Sequence, residues 1–276
     1  MKPYLHTKDY FYSNEEFTLV YDGDYHMLVT TPTPKNIDTY YPVSKYISHS
    51  DNPTSAIDRI YLLVKKFSLY RKTKLLSTLH PNKGSILDIG AGTGDFLVAA
   101  KKSNWNVTGI EPNRGARQLA RQKHIPIYSN LNEVPDATFD VITLWHVLEH
   151  IPNLQEQITL ISKLLKSNGT LIIAVPNFKS YDAAYYKQHW AAYDVPRHLW
   201  HFSKLSIKKL FDKHKFQLIA TKPMWFDSFY VSLLSEKYKR GRNNFASGFI
   251  RGLASNLSGL RTKEYSSHIY ILKKTK

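Results

Sequence analysis

The chain of 276 residues contains no cysteine. That absence excludes disulfide bonds, cysteine nucleophiles, thiolate zinc sites and iron–sulfur clusters. Long apolar runs are missing too, because no stretch reaches the roughly 20 residues needed to span a bilayer. Residues 1–6 also lack the apolar core of a signal peptide. Together these absences predict a cytoplasmic protein without redox-active thiols.

Acidic residues are scarce in the last quarter of the chain. The whole sequence has 38 Lys and Arg against 22 Asp and Glu, a formal net charge of +16. Residues 200–276 hold 16 of these cations and 4 of the acids, so they carry +12 of the +16. A basic segment that also bears aromatic residues can meet nucleic acid, an anionic membrane or an acidic substrate. It can equally be a solvated face that keeps the protein in solution.

Three glycines at alternate positions follow an apolar strand pattern over residues 85–89. They are Gly90, Gly92 and Gly94, and an apolar helical pattern comes directly after them. Glycines at a strand-to-helix turn let the backbone bend sharply and approach a ligand closely. Glu111 ends a second strand pattern, where an acid commonly holds ribose hydroxyls. The segment therefore predicts a bound nucleoside.

Two acids beside this turn indicate which nucleoside. The dinucleotide fingerprint places its third glycine one residue later than Gly94, where this chain has Asp95. A pyrophosphate at the helix start would be attracted by the helix dipole but repelled by Asp88 and Asp95. S-adenosylmethionine carries a sulfonium and an ammonium group, so nearby acids favour it over a nicotinamide dinucleotide.

The order of elements predicts a mostly parallel sheet. From residue 85 to residue 220, strand patterns alternate with helical ones. An apolar stripe at helical spacing, beginning after residues 52–54, predicts a helix before the first of these strands. Residues 17–30 read as a β-hairpin with Gly23 at its turn. We expect a β-rich extension over residues 1–52 and a main domain over 53–276, with a basic, partly helical insertion at 224–262.

Two segments carry a resemblance to a known family. The D-x-G-x-G-x-G stretch from Asp88 to Gly94, followed by Glu111, resembles motif I of the class I S-adenosylmethionine-dependent methyltransferases. The stretch WHVLEHI at 145–151 looks like the motif after strand four in the methyltransferase domain 23 group. This resemblance covers about residues 55–276. It implies a Rossmann-like α/β fold, whose seven-stranded, mostly parallel sheet ends in an antiparallel strand, and S-adenosyl-L-methionine as cofactor.

The resemblance also implies a set of cofactor-binding residues. The loop main chain would cradle the methionine part of the cofactor, Glu111 would bind the ribose, and residues after strand three would flank the adenine. The predicted set is Asp88, Gly90, Ala91, Gly92, Gly94, Glu111, Pro112, Asn130, Leu131 and Trp145. In some relatives the N-terminal hairpin resembles a cysteine zinc ribbon. Here Tyr21 and Asp24 stand where one cysteine pair would be, so we expect the hairpin shape without a metal.

Two further stretches are candidates for the methyl acceptor side. His146 follows strand four, at the edge of the sheet where ligands bind in open α/β folds, and could act as a base or an orienting group. The loop at 190–202 combines three aromatic rings with charged residues and histidines. It adds His198 and His201 as catalytic candidates, and Trp190, Tyr193, Asp194 and Arg197 as substrate-binding candidates. The alternatives are a capped turn around Glu149 and His150, and a packed loop with an internal Asp194–Arg197 ion pair.

The predicted activity is methyl transfer to a small-molecule acceptor by in-line displacement, with O-, N- and C-acceptors all open. One alternative is a non-catalytic module that binds S-adenosylmethionine. Another is a methyltransferase acting on RNA or on a lipid at an anionic surface, with peripheral contact to an anionic membrane. Nucleic acid is disfavoured, because no Asn/Asp-Pro-Pro-Tyr-like stretch follows strand four to grip a flipped base. No metal site is predicted, and the oligomeric state stays open.

Overall fold

The fold is seen in a computed structural model that describes residues 2–41, 56–135 and 138–275. For residues 56–61 only the main chain is described. A small antiparallel sheet has the strand order β1-β2-β3-β9. Its strands are β1 (Lys2–Lys8), β2 (Glu16–Asp22), β3 (Met27–Thr31) and β9 (Trp200–His201). The predicted hairpin is the β2–β3 pair. The sheet also contains β1 and β9, which the sequence did not indicate.

The second sheet has seven strands in the order β10-β11-β8-β7-β4-β5-β6. Their bounds are β4 (Ser85–Ile89), β5 (Asn106–Ile110), β6 (Ile127–Tyr128), β7 (Phe139–Trp145), β8 (Leu165–Pro176), β10 (Phe216–Pro223) and β11 (Ser267–Lys274). β4 pairs in parallel with both β5 and β7, and β5 pairs in parallel with β6. The sheet is mostly parallel with one antiparallel pair, which confirms the predicted fold class.

Eight α-helices accompany these strands in the described residues. They are α1 (Ala56–Leu79), α2 (Asp95–Lys102), α3 (Arg114–Gln122), α4 (Leu154–Leu164), α5 (Tyr181–Tyr186), α6 (Lys204–Asp212), α7 (Asp227–Arg240) and α8 (Phe245–Thr262). The predicted start of α1 at residues 52–54 lies outside the described residues. The basic insertion contains α7 and α8, as its helical pattern suggested. None of the helices in the described part of the chain is both long enough and apolar enough to cross a bilayer.

The chain divides into two compact units. One comprises Met1–Ile47, His146–Leu154 and Ala174–Tyr270, and the other comprises Ser48–Trp145, Gln155–Ile173 and Ile271–Lys276. In the second unit, the central strands are buried on both faces, as in parallel sheets generally. The largest fully buried side chains there include Ile86, Leu87, Ile142 and Leu144. This apolar centre fixes β4 and β7, so the residues that follow them are held in defined positions.

Candidate cofactor and acceptor sites

The glycine turn after β4 requires residues without a side chain. Gly90, Gly92 and Gly94 have φ angles of 73°, 55° and 80°, a region that L-residues with a Cβ rarely adopt. The main-chain N–H groups of Gly90 and Ala91 both donate to Ile110 O at 2.8 Å, which ties the turn to the end of β5. A Cβ added at Gly92 would meet nothing within 4 Å. The turn therefore presents main chain to open space at its middle glycine.

Glu111 lies against this turn through its carboxylate. One oxygen accepts from Gly92 N at 2.8 Å, and the other accepts from Asn113 N at 2.8 Å. Arg117 donates to the main-chain oxygen of Glu111 at 2.7 Å and also to that of Pro112, which is exposed. A carboxylate has about four lone-pair sites, so two remain for ribose hydroxyls. The geometry fits a cofactor with a vicinal diol at this position.

Asp88 is a buried acid that accepts a hydrogen bond from a neighbouring strand. Thr143 Oγ1 donates to it at 2.6 Å, and the residue is 2 % exposed. Burial raises the pKa of Asp88 to about 7, against the lowering effects of the Thr143 hydrogen bond and the Lys72 ammonium; Glu111 adds a small further rise. A cationic ligand would favour the ionised form of Asp88. The acid is thus suited to a positively charged cofactor.

Asp95 does not act as the sequence argument assumed. It begins α2, but Lys65 Nζ lies 2.7 Å from one of its oxygens and Lys123 Nζ bonds to the other. Burial raises its pKa, yet the two lysines outweigh this and hold the pKa below the ordinary value. Since both lysines neutralise the carboxylate locally, Asp95 contributes little to the preference for a cation. That preference depends on Asp88 and Glu111.

The remaining predicted cofactor-binding residues differ in whether their side chains already make contacts within the protein. Leu131 is buried. Asn130 is exposed, but its amide caps the 3-10 helix Leu131–Glu133 and donates to Glu133 at 2.8 Å, so its side chain is already engaged. Trp145 ends β7 edge-on to Phe96, with 5.5 Å between ring centroids, and Lys72 Nζ lies 4.3 Å from its ring centroid. An aromatic wall therefore stands at the end of β7.

A cavity of about 420 Å³ lies within the first unit, and it contains several of the predicted acceptor-side residues. Its apolar and aromatic lining includes Phe11, Val231, Tyr230, Leu234 and Tyr238. Its polar lining includes His146, Asp194, Arg197, His198 and Asp227. This size and this mixture of surfaces are typical of small-molecule sites. Asp227 was not predicted as a site residue, whereas Tyr230, Leu234 and Tyr238 belong to the basic insertion, whose aromatic and aliphatic residues could, from the sequence, cap the acceptor pocket or touch anionic lipid.

His146 is held between two carboxylates. Its Nε2 lies 3.0 Å from Asp227 Oδ2, and its Nδ1 lies 3.4 Å from Glu149 Oε1. Burial alone would lower the pKa of His146, but the two carboxylates raise it to about 10. The ring is therefore an imidazolium at neutral pH. Both ring nitrogens face carboxylates, so the ring can orient a ligand, and this arrangement does not favour the base role considered from the sequence.

Arg197 is the centre of a buried ion-pair network. Its guanidinium donates to Asp194 at 2.7 Å and 3.0 Å, and to Asp9 at 2.9 Å and 3.3 Å. Its Cζ lies 4.6 Å from the centroid of the Phe11 ring. The two carboxylates outweigh burial and raise the pKa of Arg197. Because both acids already neutralise it, this arrangement does not favour the predicted role of Arg197 in binding the substrate. The alternative of an internal Asp194–Arg197 pair is what the structure has.

The Nε2 atom of His198 could contact the methyl acceptor, because the main-chain hydrogen bond of this ring uses Nδ1. Its Nδ1 lies 2.9 Å from the carbonyl oxygen of Ala192, which can only accept, so Nδ1 carries a hydrogen and, in the neutral ring, Nε2 has the lone pair. His150 is similar, with Nδ1 3.0 Å from Arg197 O. Among the described residues, Glu149, His150 and His198 form a group that could hold a metal ion, with one ligand atom of each within 4.8 Å of the others. The sequence did not indicate this group.

Trp190, Tyr193 and His201 are packed residues. All three are buried, and the first two belong to the apolar core of the first unit. Trp190 Nε1 donates to Asp182 Oδ2 at 2.7 Å, and His201 Nε2 bonds to Thr30 Oγ1 at 3.0 Å. None of the three lines the 420 Å³ cavity. We therefore assign them to positioning the 190–202 loop, in place of the predicted substrate contact and catalysis.

The comparisons with known proteins agree with this architecture. A family described as a methyltransferase domain, methyltransferase domain 23, matches residues 65–221. The chain belongs to this family, as the WHVLEHI and glycine motifs predicted. Two curated relatives are each 31 % identical: an uncharacterized methyltransferase of Alkaliphilus oremlandii (strain OhILAs) over 140 residues, and a ubiquinone biosynthesis O-methyltransferase of Rickettsia akari (strain Hartford) over 106 residues. The matches cover 47 % and 36 % of this chain, and 63 % and 42 % of the relatives.

Solved structures share the fold. A magnesium protoporphyrin IX methyltransferase from Synechocystis PCC 6803 with bound SAH has a TM-score of 0.56 at 13 % identity, covering 87 % of this chain and 96 % of that one. A SAM-dependent methyltransferase from Thermotoga maritima, described as a possible histamine N-methyltransferase, has a TM-score of 0.54 at 18 % identity, covering 79 % and 94 %. The family match supports S-adenosylmethionine as cofactor. The chain spans less than two thirds of the length of the curated relatives it matches.

Proposed function

We propose that this protein transfers a methyl group from S-adenosyl-L-methionine to a small-molecule acceptor by in-line displacement. The observation that carries the proposal is the open glycine turn beside two acids. Gly92 presents main chain to free space, and the Glu111 carboxylate keeps lone pairs for ribose hydroxyls. Asp88 supplies a buried acid, and a positively charged ligand would stabilise its ionised form. A pyrophosphate would be repelled by these two acids, whereas the nearby Lys65 and Lys123 are already paired with Asp95.

The cofactor supplies the activated methyl group, and the chain's own residues position it. The family and the geometry together favour contacts from Asp88, the main chain of the glycine turn and Glu111. Trp145 and Leu131 would add apolar contacts. In-line displacement gains most of its acceleration from holding donor and acceptor in a reactive geometry. A rigid turn, fixed by the hydrogen bonds to Ile110, suits that requirement.

We infer that the acceptor occupies the 420 Å³ cavity. The aromatic and aliphatic walls of the cavity favour an acceptor with an apolar ring or chain, and the His146 imidazolium holds the Asp227 carboxylate in the polar lining. His198 Nε2 can accept the proton that a hydroxyl or amine nucleophile loses. The Rickettsia akari relative is named for O-methylation and the Synechocystis structure for a porphyrin, which supports an apolar acceptor with an oxygen nucleophile.

The test is an acceptor screen followed by one paired set of variants. A panel of small phenols, carboxylic acids and amines would be offered, with release of S-adenosylhomocysteine as the readout. With an active acceptor, His198→Gln should lower kcat about 100-fold or more, the usual contribution of a general base, and leave cofactor affinity unchanged. His214→Gln, on a histidine outside the cavity lining, is the matched control and should keep full turnover.

The screen also decides between an enzyme and a binding module. If the protein binds S-adenosylmethionine tightly and no acceptor in the panel is ever methylated, the non-catalytic alternative is favoured. If the His198→Gln variant methylates its substrate as fast as the parent, His198 does not take up the proton, and a methyl acceptor that needs no base is indicated.

We further propose that residues 1–52 form an extension that supplies Asp9 and Phe11 to the acceptor side, while residues 53–276 form the methyltransferase domain.

A further inference from the structure

Helix α8 buries its small residues and exposes its large apolar ones, which reverses the usual arrangement of a helix on the surface of a water-soluble protein. The buried positions of α8 are Gly248, Gly252, Ser255, Asn256 and Gly259. Its large apolar side chains face outward, each between 43 % and 60 % exposed: Phe245, Phe249, Ile250, Leu253, Leu257 and Leu260. A surface helix of a globular protein normally buries such residues. Within the described part of the chain, this set therefore stays largely exposed, although the Phe249 ring stacks on that of Phe229.

The orientation of α8 is fixed by close packing against α7. A Cβ on Gly248 would lie 2.8 Å from the side chain of Leu233, and one on Gly252 would lie 2.8 Å from the main chain of Phe229. These contacts leave no room for a larger residue on the inner face. Rotating the helix to bury its leucines would force these side chains into that space. Close packing against α7 therefore fixes the apolar residues on the outer face of α8.

Hydrogen bonds on the inner face hold the same orientation. Ser255 Oγ donates to Asp182 Oδ1 at 2.6 Å, and Asn256 Nδ2 donates to Trp225 O at 2.9 Å. At 100° per residue, the six exposed apolar side chains fall within an arc of about 140°. With a rise of 1.5 Å per residue, they extend for about 23 Å along the helix. This is a continuous apolar strip.

The charged residues of the segment that contains the strip are all cations, and the acids at its two ends, Glu236 and Glu264, are paired with Arg240 and Lys204. Residues 237–263 contain seven Lys and Arg and no Asp or Glu. Lys237, Lys239, Arg242, Arg261 and Lys263 are exposed. A second copy of the chain placed face to face would bring these cations together, whereas an anionic lipid surface would attract them. An apolar strip flanked by cations is the pattern of a helix that lies in the plane of a membrane interface.

We propose that the outward face of α8 binds an anionic phospholipid bilayer, with its apolar strip inserted at the level of the headgroups. The flanking lysines and arginines contact lipid phosphates, and the small inner face keeps the helix attached to α7. The helix lies on the membrane and does not span it. The proposal stands apart from methyl transfer, since it concerns a surface outside both candidate sites.

The experiment is sedimentation of the full chain with vesicles. Wild-type protein should bind vesicles of phosphatidylglycerol and phosphatidylcholine, and bind pure phosphatidylcholine at least tenfold more weakly. Raised salt should weaken the binding to the charged vesicles. The double variant Ile250→Ser/Leu257→Ser should lower the apparent affinity at least tenfold. Leu205→Ser, which removes an equally exposed apolar side chain on α6, is the matched control and should bind as the parent does.

Three results would overturn the proposal. The wild-type protein could fail to bind charged vesicles, the double variant could bind them unchanged, or neutral and charged vesicles could be bound equally. Light scattering on the same samples distinguishes another occupant: a wild-type dimer that the double variant loses, without vesicle binding, would assign the face to self-association. Cofactor binding by calorimetry should be equal in all variants, which separates loss of the surface from loss of the fold or of the proposed function.

Discussion

Replacing Asp88 with Asn should stabilise the cofactor-free protein at alkaline pH. A pKa of about 7 in the folded protein, against an ordinary value of 3.8, means that the folded state holds a proton that the unfolded chain has lost between about pH 4 and pH 7. Wild-type stability therefore falls as pH rises through that window. The full loss is about 4 kcal/mol once Asp88 is ionised in both states. Asn carries no charge and avoids this cost.

The assay is chemical denaturation of wild type and Asp88→Asn at pH 5 and pH 8, without cofactor. At pH 5 the variant should be more stable by only about 1.5 kcal/mol, since folded Asp88 is still protonated while the unfolded chain has already lost its proton, and the amide can also accept from Thr143. At pH 8 the variant should be more stable by up to about 4 kcal/mol. Asp95→Asn is the matched control on the same loop: its carboxylate is ion-paired, so this substitution should destabilise the protein at pH 8.

The same substitution should act in the opposite direction on cofactor binding. A charged partner contributes about 1.5–3 kcal/mol to a hydrogen bond, so Asp88→Asn should weaken S-adenosylmethionine binding by about 10- to 100-fold. Wild-type affinity should also rise between pH 6 and pH 8, as Asp88 becomes easier to ionise. A variant that is less stable than wild type at pH 8, or that binds the cofactor equally well, would refute this reasoning about the buried acid.

Three further predictions concern the two candidate sites. Asp227→Asn removes one of the carboxylates beside His146, so the pKa of that ring should fall well below about 10 in an NMR titration of its ring protons. Arg197→Met leaves the buried Asp9 without its partner and should cost about 3–5 kcal/mol in a denaturant titration, whereas a loss below 1 kcal/mol would show that the network is dispensable. Glu111→Gln should weaken cofactor binding about tenfold by calorimetry while leaving thermal stability within a few degrees of wild type.

The parts of the fold that follow local rules were predictable from the sequence. The turn after β4 needs positive φ angles at three alternate positions, and only glycine adopts them without strain, so the motif and its flanking strand and helix were visible in one stretch. The mostly parallel sheet followed from the alternation of strands and helices, and the family resemblance implied its seven strands. Boundaries were less certain: the helix expected from Pro152 begins at Leu154, and the strand expected over residues 125–129 is only Ile127–Tyr128.

The acceptor side depends on residues far apart in the chain. The protonation of His146 is set partly by Asp227, which lies 81 residues later, and the charge of Arg197 is neutralised by Asp9, 188 residues earlier. No local pattern encodes either pairing. The 190–202 loop was recognised by composition, but composition does not show which rings face a cavity. That is why Trp190, Tyr193 and His201 were expected in the site and lie in packed positions.

The glycine turn, with Asp88 and Glu111 beside it, is suited to a cationic nucleoside. Calorimetry of the full chain against S-adenosylmethionine and against NAD tests this preference without an acceptor or a variant. We expect one tight site for S-adenosylmethionine, with affinity that rises from pH 6 to pH 8, and no measurable binding of NAD. A protein that binds NAD and ignores S-adenosylmethionine would contradict it.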